Sequence, residues 1–203
     1  MGGDRAGGSR RPGAGRPEAT SHGAIEQAAF ELFADRGFDG TTLDDIAQRV
    51  GVGRRTLFRY YASKNDIPWG QFDRTLDDFR ALLARIPAEV PVAEAVQQGV
   101  LAFNEFPADA VPSHRDRMGL ILGTPALQAH SMLRYADWRA VIAEHVADRL
   151  GLASTDPLPR VAGHVALALA LAAYERWLAD PEASLHDLLV ESLAALRAYL
   201  ETP

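Results

Sequence analysis

Hydrophobic positions recur three and four apart along nearly the whole chain, the spacing of helices that turn one face to a core, and nowhere alternate as strands do. The first such run begins after about Pro17, places Ile25, Ala28, Ala29, Leu32 and Phe33 on one face, and is expected to stop at Gly37. A second helix starts at Thr42, whose hydroxyl can cap it with Asp45 at the third position, and ends near Val50. Gly51 then supplies a left-handed turn residue, and residues 54–61 are expected to form a short third helix. Ser63 with Asp66 predicts another capping box. It opens a long helix along which Trp69, Phe72, Leu76, Phe79, Leu83 and Ile86 alternate three and four apart, with Pro68 disturbing the second turn.

Pro87 and Pro91 mark a break, after which the same periodicity predicts helices over residues 92–106, near 113–122, and from after Pro125 to Leu150, where Gly151 stops the chain. Pro157 and Pro159 precede an Ala/Leu-rich helix ending near Leu178. Ser184 with Asp187 caps a last helix that carries Leu185, Leu188, Leu189, Leu193 and Leu196 on one face. The fold class is therefore all-α, with roughly nine helices and no internal repeat. Residues 161–174 are the most apolar run, shorter than the roughly 20 residues a membrane span needs, and read as a buried helix.

Composition narrows this further. A chain of 203 residues, 47% hydrophobic and 24% charged, is an ordinary soluble globular protein of one domain or two small ones. It has no cysteine, which excludes a disulfide framework, a thiolate nucleophile and cysteine-bound metal, and makes a cytoplasmic life the default. Six of the 17 glycines fall before residue 16, beside Arg5, Arg10, Arg11 and Arg16, so residues 1–17 read as a disordered basic arm without the apolar segment of a secretory signal. The net charge of −6 conceals an asymmetry: residues 1–64 carry 10 basic against 8 acidic side chains, and the remainder 11 against 19. A polyanionic partner belongs to the N-terminal third. All basic residues but Lys64 are arginine.

The segment TTLDDIAQRVGVGRRTLFRYYASK, residues 41–64, is two short helices across a glycine turn followed by a capped third element, the pattern of a helix-turn-helix. Ile46, Ala47, Val50, Val52, Leu57 and Tyr61 lie where the crossing helices must touch. The second helix of such a unit enters the major groove, and its outer face offers Arg54, Arg55, Thr56, Arg59 and Tyr60. Arg can bond guanine bidentately and Thr can meet a thymine methyl, while Thr42, Tyr60 and Lys64 stand where backbone phosphates would pass. The plainer alternative, a solvated arginine face, does not account for the agreement of caps, glycine turn and local charge.

FELFADRGFDGTTLDDIAQRVGVGRRTLFRYYASKNDI, residues 30–67, resembles the DNA-binding domain of the TetR family. The resemblance extends through RTLFRYYASKNDIPWGQFD, HRDRMGLIL at 114–122, HSMLRYADWRAVIAEHVADRLG at 130–151 and ALAAYERWLAD at 170–180 to the TetR-type regulators associated with mycofactocin biosynthesis. It implies a dimeric helical repressor whose C-terminal domain binds a small molecule, a long-chain acyl-CoA by this likeness, and moves the recognition helices. Phe58 departs from the family, many of whose members have at that place a tyrosine that reaches a phosphate. The implied division is a DNA-binding domain over residues 18–64 and a helical ligand-binding and dimerisation domain over 65–203.

Within the second domain, an apolar pocket is expected among Phe103, Phe106, Met118, Leu122, Met132, Leu133 and Trp138, because aromatics and methionine on successive central helices suit an adaptable cavity. Arg115, Arg117 and Arg134 could hold an anionic head group at its mouth. Residues 159–178 and 184–200 are expected to form a homodimer, setting two recognition helices about 34 to 36 Å apart to read a palindromic double-stranded operator. The six histidines show no paired ligand spacing, phosphate-loop and nucleophile motifs are missing, and neighbouring carboxylates such as Asp44 with Asp45 diverge around their helix. No metal, cofactor, membrane partner or enzymatic activity is expected. A helical small-molecule carrier or enzyme with an incidental helix-turn-helix is the alternative.

Overall fold

The computed structural model describes residues 20–107 and 109–202, so the expected N-terminal arm lies outside the described residues. Within them the chain is helical throughout, with no strand. Helix α1 (His22–Arg36) is capped by the Ser21 side chain, which accepts from the Ala24 amide, and ends at Gly37. Helix α2 (Leu43–Arg49) carries the full reciprocal box: the Thr42 hydroxyl accepts from the Asp45 amide at 3.2 Å and the Asp45 carboxylate accepts from the Thr42 amide at 2.8 Å. Gly51, at φ 71°, makes the reversal a side chain would strain, and α3 (Arg54–Leu57) follows.

The third helix is shorter than the sequence predicts. Its regular part is one turn, and residues 58–60 continue as tight turns in which the amides of Arg59 and Tyr60 donate to the carbonyls of Thr56 and Leu57. The long helix expected after Ser63 is also interrupted. Lys64–Trp69 is a 3-10 helix, Gly70 turns the chain at φ 60°, and only then does α4 (Phe72–Ala84) begin. Pro68 lacks the donor a continuous helix needs. The Ser63–Asp66 pairing is side chain to side chain, at 2.7 Å, with no amide capped. The other oxygen of Asp66 is taken by Arg134 at 2.7 Å and His130 at 2.9 Å. Burial raises the Asp66 carboxyl, but the hydrogen bonds from Ser63 and Arg134 and the nearby charges outweigh it and hold the group below its ordinary range.

Helices α5 (Val92–Phe103), α6 (His114–Gly123), α7 (Pro125–Leu150), α8 (Pro157–Ala179) and α9 (Leu185–Glu201) complete the chain. α5 ends before Phe106, and Pro157 and Pro159 sit inside the first turn of α8 rather than ahead of it, where a missing amide costs nothing. α7 packs along α8 and α8 along α9.

Two buried clusters result. Ile25, Ala29, Leu32, Phe33, Ile46, Leu57, Tyr61 and Ile67 form the first, joined by Leu127 from the start of α7. The second, from Phe72 to Leu189, includes Phe79, Leu83, Trp138, Ile142 and Tyr174. α8 presents Gly163, Ala166, Ala170 and Ala173 to this core, and the missing Cβ of Gly163 is what lets the backbone of Arg139 approach. In the single chain the outer face of α8 is open, with Leu158 and Val161 each 55% exposed. By length and composition alone α8 could cross a membrane, but its inner face is part of this core.

Candidate nucleic-acid interface and ligand cavity

Leu57 anchors α3 in the first cluster, and this turns Arg54, Arg55 and Arg59 to solvent. Arg54 pairs with Asp44 at 3.2 Å and its guanidinium lies 5.5 Å from the Phe58 ring, which is itself 44% exposed. Arg55 and Arg59 have no ion-pair partner among the described residues. Thr56 is half-buried on the same turn. These four side chains share one surface that a groove could receive.

The candidates for phosphate contact are placed differently. The Thr42 hydroxyl is closed onto Asp45 at 2.5 Å, and that capping is also what holds the Asp45 carboxyl below its usual range. The Tyr60 hydroxyl donates to the Thr20 carbonyl at 2.8 Å, and His22 sets its ring edge against both Tyr60 and Tyr61. Lys64 turns inward: its Nζ donates to the carbonyls of Phe38 at 2.7 Å and Thr41 at 2.8 Å, above the Phe38 ring. Thr41, buried, donates to the carbonyls of Leu32 and Gly37. Lys64 and Thr41 together clamp the loop between α1 and α2.

A cavity of about 340 Å³ lies among the 3-10 helix, α4, α6, α7, α8 and the α5–α6 loop. Its size falls in the range of about 300 to 1,000 Å³ common for small-molecule sites. Of the residues expected at a ligand pocket, Phe103, Phe106, Met118, Trp138 and Arg117 line it. The other expected residues do not. Met132 and Leu133 are 61% and 68% exposed, because the inward stripe of α7 runs through Leu127, Ser131, Trp138, Val141 and Ile142 and leaves those two on its outer side. Leu122 packs against the second cluster. Arg115 lies over the Trp177 ring and donates to the carbonyls of Trp177 and Asp180, and Arg134 is held by Asp66 and Asp73. Both guanidiniums are therefore committed away from the cavity.

Residues the sequence reading missed supply much of the wall, among them Trp69, Phe72, Asn104, His114, Tyr135 and Tyr174. The Tyr174 hydroxyl donates to Asn104 Oδ1, so it can only accept from His114, whose Nε2 is 2.7 Å away. That makes His114 the Nε2–H tautomer, with its ring stacked on Phe106 and Nδ1 left without a partner among the described residues. Burial, helped by the Arg117 charge, pushes the His114 pKa down to about 3. Burial likewise raises the Tyr174 phenol. The cavity is thus apolar, with a neutral polar chain on one side.

The His114 shift carries a stability consequence. The unfolded imidazole binds a proton below about pH 6.5 and the folded one does not until about 3, so this contribution is complete above pH 6.5 and is lost as the pH falls. At pH 4.5 the loss amounts to roughly 2 to 3 kcal/mol. Thermal unfolding from pH 7.5 to 4.5 should therefore fall more steeply for the unsubstituted chain than for His114→Gln; parallel curves would exclude a neutral buried imidazole.

One turn along α6 from His114, the wall carries an ion pair. Arg117 Nη2 lies 2.6 Å from Glu26 Oε2, and the other Glu26 oxygen accepts from the Tyr61 hydroxyl at 2.6 Å. Arg117 Nη1 donates to the Pro68 carbonyl at 2.5 Å. Burial first, and then Glu26, raise the Tyr61 phenol.

Comparison with known proteins matches this arrangement part by part. Residues 25–67 fit the family described as bacterial regulatory proteins, tetR family, and residues 90–201 fit the MftR C-terminal domain. A Mycobacterium tuberculosis protein named for mycofactocin biosynthesis regulation, MftR, is 46% identical over 177 residues, which cover 87% of this chain and 89% of the relative. The chain belongs to the TetR family. The HTH-type transcriptional regulator TcmR of Streptomyces glaucescens is also similar, 28% identical over 83% of this chain and 77% of TcmR. Among solved structures, the TetR-family repressor FadR of Thermus thermophilus, in complex with lauroyl-CoA, superposes with a TM-score of 0.56 at 24% identity, covering 87% of this chain and 93% of FadR. The SmeT–triclosan complex superposes with a TM-score of 0.58 at 21% identity, over 86% of this chain and 90% of SmeT. These structural likenesses carry the fold. The TetR family consists of transcriptional regulators and not enzymes, which sets aside the carrier or enzyme alternative.

Proposed function

We propose that this transcriptional regulator is a homodimeric repressor of mycofactocin-related genes, reads a palindromic operator through Arg54, Arg55, Thr56 and Arg59, and is controlled by an acyl-CoA-like effector. Residues 18–64 form the reading unit and residues 65–203 the effector and dimerisation unit. Of the phosphate candidates, Lys64 keeps one N–H beyond the two it gives to carbonyls, whereas the single hydroxyl hydrogens of Thr42 and Tyr60 are given to Asp45 and to the Thr20 carbonyl and must leave them to meet a phosphate. The exposed Leu158 and Val161 of α8 and the exposed Val190 of α9 support pairing of these two helices with a second copy.

The observation that carries the effector reading is the cavity itself, lined largely by aromatic rings and bearing one guanidinium, Arg117, that an acidic group could draw from Glu26. The lauroyl-CoA held by the structurally similar FadR supports an acyl thioester as the class to try. A ligand alters operator affinity only if it binds the competent and incompetent states differently. Titrating the protein–operator complex with lauroyl-CoA, laurate and CoA tests this directly. Lauroyl-CoA should weaken operator binding at least tenfold and CoA alone should not; equal action of CoA, or no action by any of the three, would remove the acyl-CoA reading.

A further inference from the structure

Three side chains join the cavity wall to the anchor of the turn after α3: Glu26 and Arg117 line the cavity, and Tyr61 stands behind them. Tyr61 is buried immediately after the tight turns that follow α3, and its amide is bonded to the Leu57 carbonyl. Its hydroxyl ends on Glu26 of α1, and Glu26 ends on Arg117 of α6. Glu26, Pro68, Gly70 and Arg117 all face the cavity. A Cβ on Gly70 would stand 3.3 Å from both Glu26 oxygens and 3.4 Å from Arg117, so the backbone has been kept bare where the pair sits. Arg117 also lies 5.4 Å from the Phe30 ring of α1.

We propose that Tyr61, Glu26 and Arg117 are positioning residues that couple the state of the cavity to the orientation of the reading turn. The inference rests on the reading of the preceding subsection and adds the route by which it operates. The pair is largely buried, its side chains 20% and 11% exposed, so a Glu26 carboxylate parted from Arg117 is left with little water and only the Tyr61 hydroxyl, and the made arrangement holds until another anion takes the guanidinium. A group in the cavity that draws Arg117 toward itself loosens Glu26, and with it the hydroxyl that fixes Tyr61. Coupling of this kind is reciprocal, so operator binding must change the cavity wall even with no effector present.

The chain provides its own reporter. Its three tryptophans are Trp69, Trp138 and Trp177; none lies in α1, α2 or α3. Trp69 and Trp138 line the cavity, and Trp69 follows the proline whose carbonyl Arg117 holds. The experiment adds a palindromic duplex, selected against the purified full chain, and records tryptophan emission at operator saturation for the unsubstituted protein, Glu26→Gln and Tyr61→Phe. The unsubstituted protein should show a clear emission change. In Glu26→Gln the amide still accepts from Tyr61 but cannot hold the guanidinium, and the change should fall to less than a fifth. Tyr61→Phe keeps the ring and loses the hydroxyl, and should fall at least to half. A merely structural role would lower melting temperature or operator affinity while leaving the saturated emission change intact. The proposal is overturned if both variants keep the full change, or if the unsubstituted protein binds operator without one. A chain that binds no duplex removes the DNA-reading function and this coupling with it, whereas operator binding without an emission change removes the coupling alone.

Discussion

Alanine at both Arg54 and Arg55 is expected to cost operator binding about 2 to 6 kcal/mol for each reading turn, a loss of roughly thirtyfold at the least. Each guanidinium that meets a guanine edge with two hydrogen bonds contributes about 1 to 3 kcal/mol of discrimination. The ion pair of Arg54 with Asp44 does not stand in the way. Both side chains are more than half exposed, and such surface pairs contribute about 0 to 1 kcal/mol. Arg85→Ala removes one positive charge, half of what the double variant loses, from an exposed position at the end of α4 and serves as the control. Operator affinity within twofold of the unsubstituted chain for the double variant would place the reading surface elsewhere.

Phe79→Ala should be the most damaging single truncation in the second cluster. The ring is 1% exposed, stacked on Trp138 with centroids 5.7 Å apart and tilted against Phe103 at 4.6 Å. Burial this complete makes the loss about 3 to 5 kcal/mol, a large share of the roughly 5 to 15 kcal/mol that holds a domain together. Phe103 and Trp138 are also cavity wall, so the void left by Phe79 adjoins the cavity and leaves those rings unsupported. Chemical denaturation should show a lower midpoint with an unchanged slope. A loss below about 1 kcal/mol would mean that the surrounding helices collapse onto the vacancy.

The helix-turn-helix was legible because its information is local. Thr42 and Asp45, Gly51 and the apolar spacing of Ile46, Ala47 and Leu57 determine their own structure within a few residues, and each stands as the sequence predicts. What escaped depends on partners distant in the chain. Asp66 has the look of a helix cap beside Ser63, but its carboxylate is bonded from α7, and Gly70 breaks the helix where Glu26 and Arg117 need room. Met132 and Leu133 were placed in the cavity by composition. The phase of α7 is set instead by Leu127, five residues before Met132, and Trp138, five after Leu133, which bury in two different clusters. His114 and Tyr174 are sixty residues apart and gave no signal before the fold joined them. Glu26, a carboxylate on the first helix, carries no mark in the sequence of its bond to Arg117.

Lys64 is the only lysine beside twenty arginines, and its ammonium is folded under the carbonyls of Phe38 and Thr41. Chemistry directed at lysine amines therefore has one side chain to find. Acylation there would remove the positive charge and leave a single N–H where two carbonyls are now served, at the loop that clamps α1 to α2, while every guanidinium passed untouched. An acyl group found on a lysine side chain of this protein is consequently confined to one position, and its arrival there records that the ammonium had left its two carbonyls.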